Sequence, residues 1–106
     1  MVVHQNLFNG YNDLTSSIIT DPNYTTNWTV TDNFMMAGAY TIYCPHGTTS
    51  GFVVQNNRFY PKAEDATDRR SPAYGLTERC DTPGVTFTGN RTDDTGATIN
   101  ADGSLS

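Results

Sequence analysis

The sequence has no run of apolar residues long enough to cross a membrane. Met1-Val2-Val3 leads straight into a strand pattern, so no secretory leader is read at this end. Basic residues are few. Six Lys and Arg stand against eleven Asp and Glu, for a net charge of −5. Nucleic-acid binding needs a basic patch or stripe, so DNA and RNA are excluded as partners, and a membrane is not expected either. Cysteine is scarce: Cys44 and Cys80, with no CxxC. Neither His4 nor His46 completes a ligand spacing, so no metal site is expected. Cys44 and His46 lie two residues apart in a proline-containing turn, which does not hold a thiolate–imidazolium pair. No stretch matches a catalytic motif, and no catalytic residue is assigned. Apolar residues make up 36% of 106, which is low for a closed globular core and allows one domain at most.

What is present is a phrase that returns four times. Val3-His4-Gln5-Asn6-Leu7-Phe8, Val30-Thr31-Asp32-Asn33-Phe34-Met35 and Val54-Gln55-Asn56-Asn57-Arg58-Phe59 are clear copies. Phe87-Thr88-Gly89-Asn90-Arg91-Thr92 is a degenerate fourth. The asparagines Asn6, Asn33, Asn57 and Asn90 are 27, 24 and 33 residues apart, which is the spacing of a stacked repeat. Each copy opens on β-branched or aromatic residues, which suit a strand. Side chains alternate across a strand, so Val3, Val30, Val54 and Phe87 should point inward, and His4, Thr31, Gln55 and Thr88 outward. The chain is expected to bend at each Asn, a residue that tolerates left-handed backbone. With repeats stacked about 4.8 Å apart, the amides would fall into register as a ladder. Phe8, Met35 and Phe59 would then re-enter the core, with Thr92 in that place where the stack ends.

A second strand follows each of the first three asparagines: residues 16–20, 39–43 and 73–77. Ile18, Ile42 and Leu76 align as their central hydrophobes. On that alignment Cys44 and Cys80 come within disulfide reach across adjacent repeats. The bridge would close 36 residues and stabilise by on the order of 3–4 kcal/mol. Two free buried thiols are the alternative. Residues 60–72, bracketed by Pro61 and Pro72, form the longest polar insertion. The repeats occupy residues 1–99, and residues 100–106 have the composition of a flexible C-terminal tail.

Three lines, Trp28 to Phe34, Gly51 to Phe59 and Gly84 to Asn90 followed by Asp93-Asp94-Thr95-Gly96, carry a resemblance. Over roughly residues 2–99 the chain resembles the right-handed parallel β-helix family of pectate-lyase-like and tailspike-like proteins. The resemblance implies an all-β solenoid of three to four coils, at the C-terminal end of a secreted or virion-surface protein. It implies an extracellular location and a polysaccharide as partner. No cofactor is expected, and Ca²⁺ enters only through the resemblance.

The first functional expectation is a non-catalytic segment that presents a glycan-binding or partner-binding face. The C-terminal rungs of a polysaccharide-degrading enzyme with its active residues upstream, and a structural phage tail or fibre piece, are the alternatives. Candidate binding residues are Arg58 and Arg91, which follow Asn in successive repeats, with Asp32 just before the Asn33 bend and Trp28 at a strand edge. For the arginines the competing expectation is solvated surface charge, and for Trp28 it is packing. A first coil without a cap exposes strand edges, so further coils, another subunit or a homo-oligomer are expected against it.

Overall fold

A computed structural model describes residues 2–4, 6–9, 18–19, 25–45, 49–61 and 68–106. These residues form strands and turns with no helix. In chain order the strands are β1 (Val2–His4), β2 (Leu7–Asn9), β3 (Ile18–Ile19), β4 (Thr25–Thr31), β5 (Phe34–Met36), β6 (Tyr40–Tyr43), β7 (Thr49–Gln55), β8 (Arg58–Phe59), β9 (Gly75–Glu78), β10 (Val85–Thr88) and β11 (Arg91–Thr92). They make three sheets, β1-β4-β7-β10, β2-β5-β8-β11 and β3-β6-β9. Every pairing is parallel. Each strand pairs with the third strand along the chain, so three strands make one repeat.

The repeated hydrophobes set the register. Val3 pairs with Val30, Val30 with Val54, and Val54 with Phe87. Val30 and Val54 are fully buried, and Val3 and Phe87 pack against the same cluster. His4, Thr31, Gln55 and Thr88 form the neighbouring outward column, with His4 and Thr88 exposed. Met35, Phe52 and Phe59 complete the core at 0% exposure. Burying side chains of this size contributes roughly 1.5–3 kcal/mol each. The side chain of Phe8 lies outside the described residues.

Four asparagines line one edge of this core. The Asn6 backbone N–H and Nδ2 both donate to Asn33 Oδ1, at 2.9 and 3.2 Å. Asn33 N and Nδ2 donate to Asn57 Oδ1 at 3.0 Å each, and Asn57 N and Nδ2 to Asn90 Oδ1 at 3.0 Å each. The second Nδ2 hydrogen of each goes back one repeat: Asn33 to Val3 O, Asn57 to Val30 O, Asn90 to Val54 O, all at 2.9 Å. The amides of Asn33 and Asn57 thus use both donors and both lone pairs, the full capacity of a carboxamide. Because a backbone N–H is always a donor, each backbone bond identifies the facing side-chain atom as oxygen.

The bend is one residue earlier than the sequence suggests. Asp32, Asn56 and Gly89 hold the left-handed backbone, with φ of 56°, 58° and 68°. The ladder asparagines do not, because their backbone groups are committed along the stack: Phe34 N donates to Asn6 O, Arg58 N to Asn33 O and Arg91 N to Asn57 O. The preceding residue absorbs the turn. At Gly89 the left-handed backbone favours glycine, and a Cβ there would displace the exposed Asn56 side-chain oxygen.

The third sheet departs from the hydrophobe alignment by one residue. Ile18 pairs with Ile42, but Ile42 pairs with Thr77 and not Leu76. Backbone bonds decide this register: Ala73 N to Gly38 O at 2.9 Å, Tyr74 N to Ala39 O at 2.8 Å and Cys44 N to Glu78 O at 2.9 Å. The slip brings Cys44 and Cys80 together, and they form a disulfide with Cα atoms 4.9 Å apart. Both cysteines are fully buried.

Residues 100–106, read from composition as a tail, fold back in a hairpin instead. Ile99 bridges Leu105 antiparallel, and Thr98 and Ser106 exchange backbone bonds of 3.2 and 2.9 Å. Ile99 N donates to Asn90 O at 2.9 Å, as the residue after Asn does in every earlier repeat, and the Ile99 side chain is 2% exposed. The hairpin therefore covers the last repeat and ends the ladder.

Candidate functional site

The residues singled out from the sequence make separate contacts. Arg58 and Arg91 stand in register on β8 and β11. Arg58 Nη1 is 2.8 Å from Asp93 Oδ1, and its guanidinium lies 4.9 Å from the centre of the Phe34 ring. An acid thus sits beside the pair, which relieves the repulsion between like charges. Arg91 Nη1 donates to Gly96 O at 3.0 Å. Asp32 Oδ2 is 3.1 Å from His4 Nε2, with both side chains about half exposed. Trp28 stacks on Phe52, with ring centres 6.1 Å apart and planes 21° from parallel, and packs against the core.

A different group of residues encloses a cleft of about 500 Å³. Its floor and one wall are Tyr40 of β6 and Gly75, Leu76 and Thr77 of β9, with Tyr74 just before that strand. The other wall is the hairpin, through Asp102, Gly103, Ser104 and Leu105. Thr77 Oγ1 donates to Ala101 O at 3.0 Å and ties the two walls together. The local sequence builds the floor. Tyr40 pairs with Gly75, where a Cβ would meet the Tyr40 ring at 3.4 Å, so the ring lies over bare backbone.

Three tyrosines gather at this point. The Tyr40 and Tyr43 rings meet edge-on at 5.4 Å, and the Tyr40 and Tyr74 rings are tilted at 5.7 Å. Burial pushes the Tyr43 hydroxyl above its ordinary value, and Glu78 beside it adds to the shift. Tyr43 therefore stays a neutral donor at physiological pH. Tyr74 is 69% exposed, and Leu105 on the facing wall is 52% exposed. Asp102 accepts from Ser104 Oγ at 2.6 Å and from Ser104 N at 3.0 Å. These bonds hold its carboxyl below the usual range, so it is ionised and accepts hydrogen bonds only. The cleft combines two tyrosine rings with one carboxylate and the hydroxyls of Tyr40, Tyr74, Thr77 and Ser104.

Sequence spacing did not bring these residues together, since Tyr40 reads as a strand residue and Asp102 as tail. The available signal was Asp102-Gly103 between Ile99 and Leu105, a turn dipeptide flanked by hydrophobes. No family model, no curated protein and no solved structure matches the chain.

Proposed function

We propose that this chain is a non-catalytic segment of a right-handed parallel β-helix solenoid that works in an oxidising, extracellular setting and binds saccharide in the tyrosine cleft. The solenoid reading is supported by three parallel sheets in which every strand pairs with the third one along. The extracellular reading is supported by the Cys44–Cys80 disulfide, a bond that persists outside reducing compartments.

One observation carries the binding reading: the exposed Tyr74 ring stands beside Tyr40 across a cleft from ionised Asp102. A pyranose has an apolar C–H face that packs on an aromatic ring and a rim of hydroxyls that need donors and acceptors. A concave site with aromatic walls and a few placed polar groups answers both needs. The Asp102 charge and the chain's net −5 favour a neutral sugar over an anionic one. Titration calorimetry with neutral and uronic-acid oligosaccharides tests this. Tyr74→Ala is expected to weaken neutral-sugar binding at least tenfold with an unchanged circular dichroism spectrum, and Arg91→Ala to leave it unchanged. Loss on Arg91→Ala alone would move the site to the arginine column. No binding by any oligosaccharide would end the saccharide reading.

A further inference from the structure

The two ends of the stack differ in chemistry. At one end the hairpin has taken the ladder's last backbone acceptor, through Ile99 N to Asn90 O. At the other, β1, β2 and β3 are each the terminal strand of their sheet. The ladder also has a direction. In every step the earlier Asn donates, through N and Nδ2, and the later Asn accepts on Oδ1. Asn6 is the first member, so its Oδ1 is the next acceptor in the series and accepts from no group among the described residues. Its Nδ2 also breaks pattern. Where Asn33, Asn57 and Asn90 each reach back to a valine carbonyl of the preceding repeat, Asn6 Nδ2 turns onto His4 O of its own repeat at 2.9 Å. The residue after Asn supplies the matching backbone donor. Phe34, Arg58 and Arg91 each give N–H to the preceding Asn carbonyl, and Leu7 is the next in that series.

We propose that this end seats one kind of occupant: a parallel rung of the same polarity that ends in an Asn in line with Asn6. That Asn gives its backbone N–H and Nδ2 to Asn6 Oδ1, and its carbonyl accepts the Leu7 N–H. A second copy of this chain does not fit. Joined end to end about a two-fold axis, two copies would pair their terminal strands antiparallel, against the parallel sense of every rung, and an axis through the ladder would set Asn6 Oδ1 against Asn6 Oδ1, acceptor facing acceptor. Joined head to tail, the incoming end is the hairpin, which presents no Asn amide in register. The inference rests on the stacked-repeat reading of the fold and is independent of the saccharide reading.

The test places a copy of residues 25–51, with its Cys44→Ser, ahead of Met1. This keeps the 24-residue spacing found between Asn33 and Asn57. Amide hydrogen exchange is followed in this chain and in the unmodified one. The extended chain is expected to slow exchange at Leu7 at least tenfold and to raise the melting temperature. Asn33→Leu within the added copy is expected to remove at least half of that rise. No protection of Leu7, or an equal rise with leucine, overturns the proposal. The unmodified chain gives an independent reading. It must sediment without a dimer that protects Leu7, and such a dimer overturns the polarity argument. The Phe34 and Arg58 amides are the internal control. If they too exchange freely, the stacked-repeat reading itself has failed. If they are protected while Leu7 of the extended chain is not, only the docking has failed.

Discussion

At the scale of single residues, position in the ladder decides what an asparagine is worth. Asn57 is 1% exposed and makes four side-chain bonds, while Asn6 is exposed and makes fewer. Asn57→Leu strands Val30 O and both Asn33 donors in the interior and takes one of the two bonds from Asn90 Oδ1, which keeps the residue 57 backbone N–H. Each buried orphan costs about 1–3 kcal/mol. We expect it to lose about 3 kcal/mol or more in denaturant unfolding, against about 1 kcal/mol or less for Asn6→Leu. Equal losses would mean the ladder is not the source. A second residue-scale effect lies in the polar insertion. The Tyr60 hydroxyl donates to Asp68 Oδ2 at 2.7 Å, and with the Arg70 backbone N–H it holds Asp68 below its ordinary pKa of 3.8. A depressed carboxylate stabilises above its unfolded pKa and loses that contribution as pH falls through the folded value. Tyr60→Phe should therefore be less stable than the parent at about pH 6, with the gap narrowing at about pH 3. A urea-midpoint difference that stays constant between the two would refute this.

At the scale of elements, the third sheet is the least regular and depends most on its staple. It has three strands where the others have four, and its connection from β8 to β9 carries the long insertion. The Cys44–Cys80 bond spans 36 residues beside it. Its reduction is expected to cost about 3–4 kcal/mol by the loop-closure estimate, read as a drop in the unfolding midpoint with dithiothreitol. Because β6 and β9 carry Tyr40 and Gly75, the cleft should loosen with the sheet. An unchanged midpoint in reductant would show that strand pairing alone sets this register.

At the scale of the whole molecule, the proposed saccharide site and the proposed docking of a further rung lie at opposite ends of the stack. The hairpin covers the last repeat and supplies one wall of the cleft, so the closed end also carries the proposed saccharide site. The first repeat presents strand edges and an acceptor-terminated ladder. In a stack where each repeat touches only its neighbours, these two ends are thermodynamically separate. Occupancy at the open end should leave sugar affinity nearly unchanged, and Tyr74→Ala should not alter Leu7 exchange in the extended chain.

The repeat was legible in the sequence because each copy states the same local chemistry: a β-branched strand, then an amide at a fixed offset. Periodicity thus determined the stacked strands, the inward column of Val3, Val30, Val54 and Phe87, and the four ladder asparagines, while their parallel sense entered through the family resemblance. The bend at Asp32, Asn56 and Gly89, the Ile42–Thr77 register and the hairpin were decided by the tertiary structure. Each depends on where backbone hydrogen bonds go between segments distant in the chain, and side-chain spacing does not encode that. The tyrosine cleft belongs to the same class. Tyr40, Tyr74 and Asp102 share no motif and meet because the last residues fold back over β9, where burying Ile99 and satisfying Asn90 O outweigh the entropy of a free end.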